Sequence, residues 1–152
     1  MPSGPRSQRL PEPWTFFVDR SLGGRVVAEA LRAAGETVEI HDEHFAPDAP
    51  DQMWLTEVGA KAWVVLSKDD RIRRSPVERH ALLTAGVAAF FLGRSDLRGD
   101  QMATALVRAL PAMKKALRKF DVPFIAGVSI AGDVHVFESD GERHTPPKRL
   151  KP

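Results

Sequence analysis

Three apolar runs constrain the fold of this chain more than any other feature. They are WTFFV at residues 14–18, WVVL at 63–66 and VAAFFL at 87–92, and none alternates between apolar and polar residues. A strand with one face in water shows that alternation, whereas a strand buried on both faces does not. The runs therefore predict a parallel sheet that is covered by helices on both faces.

Segments with helical spacing follow the first strands. Ser21 is the predicted N-cap of a first helix, and Gly35 is the predicted residue just beyond its end. A short second strand, TVEI at 37–40, comes next. Pro50 suits the first position of a second helix, because the backbone N–H that proline lacks has no helical partner there.

Two further helices are predicted in the second half of the chain. Ser75, Pro76 and Glu78 form a predicted capping box at the start of the third helix. A long amphipathic stripe at residues 100–120 predicts the fourth, with a kink at Pro111. These helices complete an alternating order of strands and helices.

The predicted order is β-α-β-α-β-α-β-α, followed by a hairpin whose strands flank Gly132 and Asp133. This order predicts an α/β fold, a three-layer α/β/α sandwich with a mostly parallel central sheet and the hairpin at the sheet edge. With 152 residues, 43% of them hydrophobic, the chain can build one core. We expect one domain at residues 14–137, a disordered tail at 1–13 and a basic disordered tail at 138–152.

The composition excludes several classes of protein. The chain has no cysteine, so it forms no disulfide and no cysteine-ligated zinc site. No apolar run approaches the roughly 18 residues of a membrane helix, so we expect a cytoplasmic protein without a membrane partner. Positive and negative charges balance across residues 14–137. Binding to nucleic acid would therefore need a local basic patch.

Acidic residues follow several of the predicted strands. Asp19 comes directly after the first strand, Asp69 and Asp70 come after the third, and Asp96 follows the fourth by a few residues. Asp51 lies in the first turn of the second helix. The carboxyl ends of parallel strands meet at one edge of a sheet, where sites form at the point of reversed strand order. We expect these carboxylates to share that edge.

Carboxylates that share a crevice repel one another unless a cation is present. Mg²⁺ or Mn²⁺ prefers oxygen ligands, and such an ion can support hydrolysis of a phosphodiester. Neighbouring cations would then bind the flanking phosphates of a nucleic acid. The candidates for this role are Lys68, Arg71, Arg73, Arg74 and Arg94.

Four segments resemble the PIN-like domains, a superfamily of metal-dependent ribonucleases that includes the toxins of many bacterial toxin-antitoxin pairs. The segments are FFVDRSLGGRVVAEALRAAG, HDEHFAPDAPDQMWL, WVVLSKDDRIRRSPVERHALL and FIAGV, within residues 15–137. The resemblance implies a three-layer sandwich and an acidic cleft that holds Mg²⁺ or Mn²⁺ and hydrolyses RNA. It carries over to Asp19, Asp51 and Asp69 as metal ligands and catalytic residues. It also leaves room for a cognate antitoxin protein as a partner, although the residues themselves do not establish a toxin-antitoxin role.

Several alternatives stay open at this point. A fourth acidic ligand would be Asp42, Asp70 or Asp96. The function could instead be that of a receiver-like phosphoacceptor domain, or of an inactive RNA- or protein-binding module. The HDEHF segment could hold Zn²⁺, although we favour a loop with Phe45 in the core. The long helix and the hairpin edge would also permit a homodimer.

Overall fold

The computed structural model describes residues 9–68, 75–93, 96–139 and 142–143. Seven strands form one sheet in the order β2-β1-β3-β4-β5-β6-β7. The strands are β1 (Thr15–Val18), β2 (Thr37–Ile40), β3 (Val64–Ser67), β4 (Ala88–Leu92), β5 (Phe124–Val128), β6 (Val134–Ser139) and β7 (Glu142–Arg143). The first five are parallel, and β6 and β7 are added antiparallel at one edge. The predicted fold class, an α/β sandwich with a mostly parallel sheet and a hairpin at its edge, is confirmed.

Helices cover both faces of this sheet. They are α1 (Val26–Ala33), α2 (Asp51–Ala60), α3 (Pro76–Ala85) and α4 (Gly99–Lys119), with short 3-10 turns at Arg20–Leu22 and His41–Glu43. Helix α1 packs beside α4, and α2 packs beside α3. No helix in the described part of the chain is both long and apolar enough to cross a membrane.

Strand β1 shows why the apolar runs lack alternation. Phe16 and Val18 belong to the core on the side of α1 and α4, whereas Phe17 belongs to the core on the side of α2 and α3. All three side chains are completely buried. Because both faces of the strand are covered at these three positions, all three residues are apolar.

Two predicted helix starts are wrong in detail. Ser21 lies in the 3-10 turn, and α1 begins only at Val26. Pro50 is the N-cap of α2 rather than its first residue. These shifts are small, but the first leaves the Ser21 side chain available for a contact with another strand.

The capping of the later helices also differs from the prediction. Ser75 and Pro76 occupy the predicted N-cap and first position of α3, but in the described structure the Ser75 side chain makes no capping hydrogen bond. A capping-box contact is found instead at α4, whose N-cap is Arg98. The backbone N–H of Arg98 donates a hydrogen bond to Oε1 of Gln101 at 2.8 Å. Helix α4 runs through Pro111 over its full 21 residues.

Parts of both predicted tails belong to the folded domain. Leu10 packs against the core, and its carbonyl accepts a hydrogen bond from Nε1 of Trp14 at 3.2 Å. At the other end, β6 continues to Ser139 and pairs with β7. The sheet therefore extends beyond residue 137, where the prediction ended the domain.

Gly59 permits the close packing of α2 on α3. A Cβ atom built at Gly59 would lie 2.1 Å from the carbonyl oxygen of Ala85, which is backbone and has little freedom to move. We expect Gly59→Ala to lower the free energy of unfolding by about 2 kcal/mol, measured by urea denaturation. Gly24→Ala is the control, because a Cβ there meets no atom within 4 Å. Equal stability of the two variants would contradict this packing.

Candidate active site

The strand order reverses at β1. The chain passes from β1 to β2 on one side, and then crosses back through α2 to β3 on the other side of β1. Val18 pairs with Ile40 of β2 and with Leu66 of β3. Asp19, one residue further on, therefore lies between the ends of these two strands. This is the position at which open α/β sheets form their sites.

Asp19 is a buried carboxylate, with only 4% of the residue exposed. Its backbone N–H donates to the Leu66 carbonyl at 3.1 Å, which continues the pairing of β1 with β3. Its Oδ1 accepts hydrogen bonds from the N–H of Ser21 at 2.7 Å and from the hydroxyl of Ser21 at 2.5 Å. The side chain thus caps the 3-10 turn that follows the strand, and its orientation is fixed.

The hydroxyl of Ser21 joins the ends of β1 and β3. It accepts a hydrogen bond from the backbone N–H of Lys68 at 2.8 Å, and it lies 3.2 Å from the hydroxyl of Ser67. A hydroxyl has one proton, and Ser21 donates it to Asp19. In a hydrogen bond between the two hydroxyls, Ser67 would therefore be the donor. The network runs from the chain after β3, through Ser21, to the Asp19 carboxylate.

Asp51 is held on the same side of the sheet. It is the first residue of α2, and its Oδ1 accepts a hydrogen bond from Nε1 of Trp54 at 2.9 Å. The Trp54 ring lies 5.4 Å from the ring of Phe17, between centroids. Phe17 precedes Asp19 by two residues, and the backbone at Asp19 is still extended, so the two side chains project toward the same side of the sheet. The carboxylate of Asp51 also lies at the positive end of the helix dipole.

The HDEHF segment forms a turn over an aromatic cluster. His41 is 2% exposed, and its ring lies 5.4 Å from Phe45 and 5.6 Å from Trp54. Phe45 packs against the core as predicted. Nδ1 of His41 has no hydrogen-bond partner among the described residues, since Oδ1 of Asp42 is 3.6 Å away. His44 pairs instead with Glu39, at 2.6 Å between Nε2 and Oε1.

No set of three histidine, aspartate or glutamate residues in the described part of the chain is arranged to hold a metal ion. The structure therefore gives no support to the zinc site considered for HDEHF. This finding does not apply to the predicted set of Asp19, Asp51 and Asp69, because Asp69 lies outside the described residues.

Burial lowers the pKa of His41, against the opposing effect of the nearby Asp42 carboxylate. An unfolded chain therefore takes up a proton at His41 at a higher pH than the folded chain does. We expect the free energy of unfolding to fall as the pH drops below about 6.5, measured by urea denaturation between pH 8 and pH 5.

His41→Phe should make this decline in the free energy of unfolding shallower. An aromatic ring still occupies the position, and the titrating group is removed. His80→Gln is the control, because His80 is exposed on α3. If the decline is as steep in His41→Phe as in the wild type, another group causes it.

Comparison with known proteins identifies the family. Residues 15–94, more than half of the chain, match the family model described as PIN like domain. The chain is also 36% identical over 114 residues to VapC45 of Mycobacterium tuberculosis, whose name proposes a ribonuclease. That alignment covers 72% of this chain and 82% of the relative. The chain belongs to the PIN-like domain family.

The resemblance to PIN-like domains drawn from the sequence is thus confirmed. The matched residues include the end of β1, the start of α2 and the end of β3. A receiver-like domain is not the family of this chain. The comparison with solved structures gave no significant match.

The other candidate residues lie in different places around this PIN-like site. Asp42 is 61% exposed at its side chain and lies 3.5 Å from Nε of Arg20, measured to Oδ1. Asp96 is exposed shortly before α4, and Lys68 is half-buried beside Ser21. The remaining candidates lie outside the described residues; they are Asp69, Asp70, Arg71, Arg73, Arg74 and Arg94.

Two residues of this network were not foreseen as parts of the site. Ser67 is completely buried and polar at the end of an apolar strand, which is a signal that the sequence carries. Ser21 follows Asp19 by two residues, a spacing at which a backbone N–H and a hydroxyl can both reach one carboxylate. The contact of Ser21 with β3 spans 46 residues and depends on the strand order.

Proposed function

We propose that this PIN-like protein is a metal-dependent endoribonuclease that hydrolyses RNA phosphodiester bonds. The observation that carries the proposal is the buried Asp19 carboxylate, fixed by Ser21 where the strand order reverses. The ribonuclease activity that is proposed for the relative from Mycobacterium tuberculosis supports the same reaction.

The donor atoms near the reversal of strand order fit Mg²⁺ or Mn²⁺. The candidate ligands are carboxylate oxygens of Asp19 and Asp51, joined by Asp69, and the chain has no cysteine. Oxygen ligands of this kind suit a hard divalent cation and do not select zinc or copper. We propose that Asp19, Asp51 and Asp69 hold the ion.

The bound ion would stabilise the negative charge that develops on the phosphodiester during hydrolysis. The protein's own contribution is positional. Ser21 and the backbone hold the Asp19 carboxylate in one orientation, and Trp54 holds that of Asp51. Cations that follow β3 and β4 would bind the phosphates on either side of the cleaved bond. In this proposal they are Lys68, Arg71, Arg73, Arg74 and Arg94.

A toxin-antitoxin role is part of the same proposal. The PIN-like superfamily includes such toxins, so a cognate antitoxin protein in the cytoplasm would be the partner. Addition of that partner should inhibit cleavage of RNA by the toxin. A homodimer is a further proposal, which size-exclusion chromatography with light scattering would test.

The test of the proposed reaction is cleavage of a mixed-sequence single-stranded RNA by the metal-depleted protein. We expect no cleavage in the presence of a chelator, and cleavage after the chelator is removed and Mn²⁺ or Mg²⁺ is added. Cleavage that continues unchanged without metal would contradict the metal dependence. A protein that cuts no RNA with either ion would favour the inactive binding module.

The cations after β3 should contribute to RNA binding through phosphates. We expect Arg73→Ala with Arg74→Ala to weaken binding and to reduce the slope of log K against log salt by about 1.4, if each arginine neutralises one phosphate of a single strand. Lys61→Ala is the control, because Lys61 lies at the amino end of β3. An unchanged slope in the double variant would assign these arginines another role.

A further inference from the structure

Arg20 makes two contacts with the same neighbouring segment of the chain. Its Nη1 donates a hydrogen bond to the Pro47 carbonyl at 2.8 Å, and its Nε lies 3.5 Å from Oδ1 of Asp42. The guanidinium group presents several donors in a rigid plane, so it can hold two acceptors at a fixed separation. Arg20 follows Asp19 directly, so these contacts originate next to the proposed metal ligand.

The segment that Arg20 holds leads directly to Asp51. It runs from the turn at His41–Glu43 to Pro50, the N-cap of α2. Pro50 makes no side-chain capping hydrogen bond, so the start of α2 is not fixed in that way. Arg20, the residue after Asp19, is therefore bonded to the segment that leads to Asp51.

Among the described residues, the other contacts fix only the first part of this segment. The Phe45 ring packs edge-on against Phe17, with 5.9 Å between centroids. Beyond Phe45, the hydrogen bonds within residues 46–50 amount to a turn from the Ala49 N–H to the Ala46 carbonyl. In the part of the chain that the structure describes, the bond from Arg20 to Pro47 is thus the hydrogen bond that links the second part of the segment to the 3-10 turn after β1.

We propose that Arg20 is a positioning residue that sets the separation of Asp19 and Asp51, and thereby the affinity of the site for its divalent ion. This inference rests on the proposed function. The side chain of Arg20 is 52% exposed and that of Asp42 is 61% exposed, so their ion pair contributes little to the stability of the fold. The contribution of Arg20 is geometric.

If Arg20 acted only through its charge, its removal would strengthen metal binding, whereas loss of a positioning residue would weaken it. A cation close to a divalent ion repels it, so removal of the Arg20 charge without any change of geometry would strengthen metal binding. Arg20→Lys keeps the charge, but a single ammonium group does not reproduce the two-point contact. The two variants together therefore separate charge from geometry.

The experiment measures Mn²⁺ binding by calorimetry and RNA cleavage as a function of Mn²⁺ concentration. We expect Arg20→Ala and Arg20→Lys each to raise the Kd for Mn²⁺ by about tenfold, because residues that orient metal ligands have effects of this size. Cleavage by both variants should recover at high Mn²⁺ concentration. Their melting temperatures without metal should stay close to that of the wild type.

Arg118→Ala is the matched control. Arg118 forms an ion pair of similar length and exposure with Glu12, at 3.3 Å, but it lies near the end of α4. Its Kd for Mn²⁺ should equal that of the wild type. If Arg20→Ala fails to fold, Arg20→Lys still provides the test.

Two results would overturn the inference without touching the proposed function. One is a wild-type Kd in both Arg20 variants, and the other is tighter binding in Arg20→Ala with a wild-type Kd in Arg20→Lys. A wild-type protein that binds no Mn²⁺ and cuts no RNA would overturn the proposed function and this inference together.

Discussion

Replacing Asp19 with asparagine is expected to lower the rate of RNA cleavage by at least about 100-fold and to leave the fold intact. Asparagine has the same shape, and its amide oxygen can still accept the hydrogen bonds that Ser21 donates to Oδ1. It lacks the negative charge that a divalent cation requires. The rate is measured on single-stranded RNA at saturating Mn²⁺, and the fold is checked by thermal unfolding.

Asp121→Asn is the control for this substitution. Asp121 lies before the amino end of β5, whereas Asp19 follows the carboxyl end of the parallel strand β1, and Oδ1 of Asp121 is 3.8 Å from Nη1 of Arg9. We expect this variant to cleave RNA at the wild-type rate. Full activity of Asp19→Asn would remove the proposed metal site, and equal loss in both variants would indicate a general effect of neutralising an acid.

Replacing Arg79 with methionine should cost about 3 kcal/mol of folding free energy. Glu138 on β6 is 5% exposed, and Arg79 on α3 donates to its two oxygens at 2.9 Å and 3.5 Å. Removal of the guanidinium group leaves a carboxylate buried without this partner, and that is more costly than the loss of the pair itself. Urea denaturation of the metal-free protein measures the effect.

Two further variants test the cause of this loss. Arg79→Met combined with Glu138→Met should recover most of the lost stability, because no buried charge remains. Arg25→Met breaks a pair with Glu43 in which both side chains are substantially exposed, so it should cost less than about 1 kcal/mol. If Arg79→Met lowers the free energy of unfolding no more than Arg25→Met does, the pair with Glu138 is not effectively buried.

The apolar runs predicted the layers of the fold because local composition reflects burial on both faces. Phe16, Phe17 and Val18 fill two separate cores, so these consecutive positions are all apolar. Helix starts were less predictable. A serine such as Ser21 can cap a helix or contact another strand, and the sequence near it does not distinguish the two roles.

The acidic residues of the candidate site were predicted from their places after strands and at a helix start. The contacts around them were not, because they depend on strands that are distant in sequence. Ser21 reaches Lys68 across 47 residues, and Arg79 reaches Glu138 across 59. Each contact requires the order of the strands, which the pattern of apolar residues does not determine. The bond of Arg20 to Pro47 likewise depends on the pairing of β1 with β2.

The most direct test of the proposed metal site is Mn²⁺ binding by the wild type and by the double variant Asp19→Asn with Asp69→Asn. Calorimetry measures the binding, and cleavage of single-stranded RNA is then measured on the same samples. We expect the wild type to bind Mn²⁺ and cut the RNA, and the double variant to do neither while remaining folded. A double variant that still binds Mn²⁺ and cleaves would contradict the assignment of these carboxylates.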